Sequence, residues 1–200
     1  MKRLANSLWT SSTGSSAAEF ALVLPLLLIF LFGIIDGGRF MWAYNRAEKA
    51  TQTGTRFAVV TDPVAPGLYA YKFTSSGLGA GDTIPASSLG TITCSSTTCT
   101  CTATPCPSGT GAPTGAWTQL VARMKQIDPD IAETNVQVVY QGSGLGFAGN
   151  PSGMDVDPIV SVRLTGLQFK PLTTLTLATF RMPDFHAALT AEDSYGTQSN

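Results

Sequence analysis

The sequence predicts an α+β protein: a long N-terminal membrane-spanning helix, then a small antiparallel sheet and a short helix. Three observations predict it. Phe20 to Ile35 reads FALVLPLLLIFLFGII, sixteen residues without a charge. Trp117, Leu120, Val121, Met124 and Ile127 recur at helical spacing. Residues 135–140 and 159–164 alternate in the two-residue rhythm of half-buried strands. Helices followed by a run of strands, rather than alternating with them, give an α+β order.

The apolar run comes first. As helix it covers about 24 Å, slightly short of a hydrocarbon core of about 30 Å. Ala17 and Ala18 extend it and bring Glu19 inside. Lys2 and Arg3 make a basic start, as in a secretory signal, but no small-x-small cleavage site follows at Asp36 to Arg39. The run is therefore expected to stay as an anchor. Helical periodicity continues to about Val59. Ala43, Ala47, Ala50, Thr51, Gly54 and Ala58 form a stripe of small residues. Such a stripe suits packing on the protein's own body, or on partner helices. Pro25 is tolerated in a membrane helix and carries no function. The Gly37–Gly38 pair costs about 1 kcal/mol per glycine relative to Ala and marks a place to bend.

Charge is scarce and uneven. Twelve Lys/Arg and thirteen Asp/Glu give a net charge of −1. Residues 1–59 hold six basic and three acidic side chains; the remainder holds six and ten. This excludes a nucleic-acid binder that works by neutralising phosphates. One histidine excludes most histidine-based metal sites and weakens any catalytic triad.

The segment before the apolar run, Gly14-Ser15-Ser16-Ala17-Ala18-Glu19-Phe20, resembles the processing site of type IV pilins and pseudopilins. The resemblance implies a prepilin-type leader peptidase cutting after Gly14 and leaving Ser15 as the new N-terminus. Glu19 would then be the fifth mature residue, and Glu19-Phe20 looks like the Glu-Phe/Tyr variant of the Flp/Tad branch. A carboxylate at a membrane boundary is costly unless paired. The new α-amino group of a neighbouring subunit would pair it and fix the stagger of packed helices. Ser15 to Val60 is similar throughout to the N-terminal helix of TadE-like proteins, with Phe32-Gly33-Ile34-Ile35-Asp36, Gly38-Arg39 and Thr55-Arg56-Phe57-Ala58-Val59 carrying the pattern. Thr55 stands where the family has Ala, and Gly37 where a larger apolar residue is commoner. Arg181 to Phe185 loosely resembles the closing segment of such chains.

The resemblance implies a minor pseudopilin acting in assembly of a Tad-type (Flp) pilus or secretion apparatus, with a pilin-like plan of helical spine and outer sheet. Its implied partners are membrane lipid, other Tad pilins or pseudopilins and inner-membrane assembly proteins. It places the N-terminus in the cytoplasm and the body outside the inner membrane. Counted literally, the positive-inside rule points the other way, because Arg39, Arg46 and Lys49 follow the span. A following domain of this size translocates largely regardless of nearby charge, and the cysteines suit an oxidising compartment.

Four segments follow: a basic leader over 1–14, the helix over 15–60, a loop region over 61–116 and a body over 117–200. Ser, Thr, Gly and Pro make up 33 of residues 60–116, with three charges. This reads as loop with little core of its own. It holds Cys94, Cys99, Cys101 and Cys106. Pairing Cys94 with Cys106 forces a strained Cys99–Cys101 bridge. The crossed and the sequential pairings stay open, the sequential one preferred as two successive small loops. A four-cysteine zinc site lacks the usual C-x2-C pairs.

Beyond it, the amphipathic helix ends before Pro129, and Leu172 to Phe180 is expected as a third strand. Asn150 to Pro158 groups oxygen ligands of the kind calcium takes, without EF-hand spacing or its closing Glu. The plainer reading is a turn with Asx caps. Gly142 to Gly146 follows a strand, but no helical pattern stands behind it to make a phosphate cradle. His186 lies near Asp184 with no assignable nucleophile. No cofactor, metal or enzymatic activity is expected. The rival function is a membrane-tethered extracytoplasmic binding module or adhesin, with the Ser/Thr-rich loop as its contact surface.

Overall fold

The computed structural model describes residues 14–103, 105–106, 110–172, 179–191 and 194–197. Its elements, in chain order, give the expected α+β class. Helix α1 spans Ser15–Val60, unbroken through Pro25 and through Gly37 and Gly38. Helix α2 is Ala116–Lys125. The strands are β1 (Thr91–Cys94), β2 (Cys99–Thr102), β3 (Val136–Gln141), β4 (Ile159–Leu164), β5 (Gln168–Phe169), β6 (Phe180–Arg181) and β7 (Phe185–Thr190). Short 3-10 turns fall at Phe73–Ser76, Ala86–Ser88 and Glu133–Asn135.

The chain divides into two compact units, one drawn from Met1–Trp42 and Phe169–Phe180, the other from Ala43–Gln168 and Arg181–Asn200. In the second unit a five-stranded antiparallel sheet runs in the order β2-β1-β3-β4-β7. Its centre is fixed by Val138 opposite Val162 and Tyr140 opposite Val160. Each of these side chains is buried, as alternating strand residues on one face must be. The Tyr140 hydroxyl accepts the Val64 N–H at 2.9 Å, which ties the chain just after α1 to the middle of the sheet.

The small-residue stripe of α1 is used inside this same unit. Ala47, Ala50, Thr51, Gly54 and Ala58 are all buried. A Cβ on Gly54 would come within 2.8 Å of the Met124 side chain, so glycine is what lets α2 approach here. Thr55 Oγ1 donates to the Ala187 carbonyl of β7 at 3.2 Å, and Tyr44 meets Phe185 edge-on at 4.9 Å. Arg46 pairs with Asp128 just after α2.

Several expectations are corrected. Residues 61–116 are not a loop without a core: Val64, Leu68, Phe73, Ile84, Leu89 and Ile92 are buried, and β1 and β2 lie within it. The apolar residues there are interrupted irregularly by Pro, Gly, Ser and Thr, so no periodic run announces them. Threonine, being β-branched, serves well at the exposed positions of a strand. Of the strand expected over Leu172 to Phe180, residues 173–178 lie outside the described residues. At its ends only Phe180 is strand, in β6. Strand β7, with two alanines and a histidine in its alternation, had no legible signal. Helix α2 stops at Lys125, and a turn ending at Asp128 takes up the three residues before Pro129, whose ring excludes further helix.

Candidate functional site

The apolar half of α1 is bare. Phe20, Leu22 and Leu26 are 65%, 80% and 70% exposed, and an 18-residue window of mean hydropathy 2.6 has none of its residues buried. Among the described residues this is the one helix long and apolar enough to cross a membrane. A contiguous apolar surface of this size calls for lipid or partner helices rather than water.

Its N-terminal end holds the residues singled out for processing. Gly14 is exposed and directly precedes the first helical residue, Ser15, with no atom within 4 Å of where a Cβ would stand. Glu19 and Phe20 follow one turn later, both exposed on the helix.

The other end of the run carries an arrangement that sequence reasoning missed. Asp36 is buried, although it directly follows the apolar run. Its Oδ1 accepts the Leu172 N–H at 2.7 Å and an Arg39 guanidinium N–H at 3.0 Å. The same guanidinium reaches the Lys170 carbonyl at 3.4 Å and lies 5.5 Å over the Phe169 ring. Phe169 in turn meets Phe40 edge-on at 5.4 Å. Asp36 and Arg39, one helical turn apart, thus clamp the 169–172 segment. The i, i+3 acid–base pair was visible in the sequence; its partner, more than 130 residues away, was not.

The oxygen-rich loop is built around Asp155. Asp155 is buried and its carboxylate is occupied: Oδ2 accepts the N–H groups of Phe73 and Gly149, each at 2.8 Å. Oδ1 accepts the Asn150 N–H at 3.0 Å and the Lys72 ammonium at 3.1 Å. Burial pushes the Asp155 pKa up, but the Gly149 and Phe73 N–H groups and Lys72 together outweigh it and hold it below the ordinary 3.8. Asn150 Oδ1 accepts the Ser152 N–H, the Asx turn of the plainer reading. Among the described residues no group of three or more His, Cys, Asp or Glu is placed to hold a metal.

Nearby glycines serve close packing rather than phosphate binding. A Cβ on Gly142 would sit 2.0 Å from the Ala86 carbonyl oxygen, and one on Gly146 2.3 Å from that of Asp155. Beside this loop is a cavity of about 360 Å³ lined by Tyr69, Asn150, Ser152, Met154, Asp157 and Tyr195. His186 is exposed on β7 opposite Arg163, while Asp184 pairs with Arg181. The cysteine sulfurs lie at bonding distance in the sequential pairing, 2.03 Å for Cys94–Cys99 and 1.92 Å for Cys101–Cys106.

Residues 14–56 match the family model described as TadE-like protein. No curated protein and no solved structure matches the chain. The matched stretch begins at the open Gly14, takes in the bare apolar run and the Asp36–Arg39 clamp, and ends within the buried stripe. Over these residues the chain is similar to TadE-like proteins.

Proposed function

We propose that the chain is a membrane-anchored minor pseudopilin that acts in assembly of a Tad-type (Flp) pilus or secretion apparatus. The observation that carries this is the coincidence of the TadE-like match over 14–56 with one continuous helix whose most apolar window has none of its residues buried. In this reading the helix is the single inner-membrane anchor, with the N-terminus cytoplasmic and the disulfide-bearing body outside. A prepilin-type leader peptidase cuts between Gly14 and Ser15. Glu19 then meets the new α-amino group of a neighbouring pilin or pseudopilin, an attraction strengthened by the low dielectric of the membrane boundary. The role is structural rather than catalytic.

N-terminal sequencing of the mature protein tests the processing step. A start at Ser15 supports it, and a start at Met1 removes it. Replacing Gly14 should block cleavage. Glu19→Ala should impair pilus assembly and leave cleavage largely intact; unchanged assembly would rule out the amine pairing. The cavity beside Asp155 favours a second reading, a tethered binding module, because two tyrosines and several oxygen-bearing side chains meet there. Glycan binding by the full chain that Tyr195→Ala abolishes would support that reading, and its absence would count against it.

A further inference from the structure

We infer that the 169–172 segment and Phe180 form a second membrane contact, a headgroup-level collar that the Asp36–Arg39 clamp holds against the anchor helix. The inference rests on the anchor reading above. Its starting point is height along the helix. If Ala17 to Ile35, about 28 Å of helix, occupies the hydrocarbon, Asp36 to Phe40 covers the next ~6 Å, which falls in the headgroup layer. Asp36, Arg39 and Phe40 are the residues that bind Phe169 to Leu172. That segment is thereby set at the same level, and pairing of β5 with β6 brings Phe180 to it.

What the collar presents is suited to that layer. Leu172 and Phe180 are 61% and 53% exposed, with Lys170 exposed beside them and Arg39 half-exposed. The chain from Pro171 to Phe180 has no charged residue. On the helix, Trp42 is 68% exposed two residues beyond Phe40, and tryptophan is enriched at membrane interfaces. Apolar side chains beside cations fit acyl chains below and lipid phosphates above. The segment clusters with the apolar run rather than with the sheet. The occupant is therefore lipid. The clamp also explains a buried carboxylate at the mouth of the span: it receives a backbone N–H that would otherwise enter the interface unpaired.

The test uses the full chain in vesicles of phosphatidylcholine and phosphatidylglycerol. The photocrosslinker p-benzoylphenylalanine is placed singly at Leu26 or Phe180, and lipid adducts are counted by mass spectrometry. Adducts at both positions are the expected result. Adducts at 26 without adducts at 180, or crosslinks from 180 to protein instead of lipid, overturn the collar and leave the anchor standing. No adduct at 26 removes the anchor, and the collar with it. Adding Asp36→Ala should cut the adduct yield at 180 severalfold while leaving that at 26 unchanged. An undiminished yield at 180 would show that the clamp does not hold the segment.

Discussion

Replacing Asp155 by Ala removes the acceptor that joins the 149–155 loop to the start of the Phe73–Ser76 turn. The loss can be worked from the groups left behind. The Phe73 N–H is buried where water has no access, so leaving it unpaired costs about 1–3 kcal/mol. The Gly149 and Asn150 N–H groups are half-buried and within reach of solvent, so each loses only about 0.5–1 kcal/mol. The Lys72 ammonium is substantially exposed and its pairing adds at most about 1 kcal/mol. Together these give about 2–6 kcal/mol, a large share of a typical stability of about 5–15 kcal/mol. Urea unfolding of the full chain in detergent, followed by near-ultraviolet circular dichroism, measures it. Faster hydrogen exchange at the Phe73 amide localises it. Asp155→Asn should lose less, because its one oxygen still serves Phe73 and Gly149. The folded carboxyl has a depressed pKa, so its contribution is complete above the unfolded value near 3.9 and is lost as pH falls through the folded value. The Asn variant should lack that acid-side loss. Calcium should leave the melting temperature unchanged, since the lone pairs are already taken. An Ala variant within 1 kcal/mol of the parent, or calcium stabilisation that Asp155→Asn abolishes, would refute this account.

Three further outcomes follow from the same packing. Tyr140→Phe keeps the ring but strands the buried Val64 N–H, so stability should fall by about 1–3 kcal/mol in denaturant melts. Burial raises the Tyr140 pKa above its ordinary 10.0, so the parent should lose stability as pH rises beyond 10 and the Phe variant should lose less. Gly54→Leu should overpack the crossing of α1 and α2 by about 1–3 kcal/mol, and Met124→Ala should restore part of it in a double-mutant cycle. Under mild reductant, peptide mapping should find Cys101–Cys106 opened before Cys94–Cys99, whose residues are buried. Equal rates would contradict that order.

The resemblance over 14–56 was more legible than tertiary structure. Gly14, Glu19, Phe20 and the apolar run carry the likeness to a TadE-like helix because each is a local signal, read within some twenty residues. Strand β4 was equally plain, since Ile159 to Leu164 alternates within itself. Strand β1 is just as regular, Thr91-Ile92-Thr93-Cys94 alternating half-buried and buried, but four residues in a Ser/Thr-rich stretch are too few to stand out. For Asp36 the sequence held the residue without its reason. It matched a family pattern, and only the Leu172 N–H, 136 residues on, shows what the carboxylate does.

The sequence by itself determined the membrane-capable helix, the α+β class and the family to which 14–56 is similar. These depend on hydropathy, periodicity and short motifs, all set by neighbours along the chain. Tertiary structure alone decided that Asp155 ties its loop to Lys72 and Phe73, that the small-residue stripe lies under α2 and β7, and that Asp36 and Arg39 hold a returning segment. In each case the deciding partner is remote in the chain. A polar group's role is fixed by whichever donor or acceptor folding brings within 3 Å of it, and no local pattern records that.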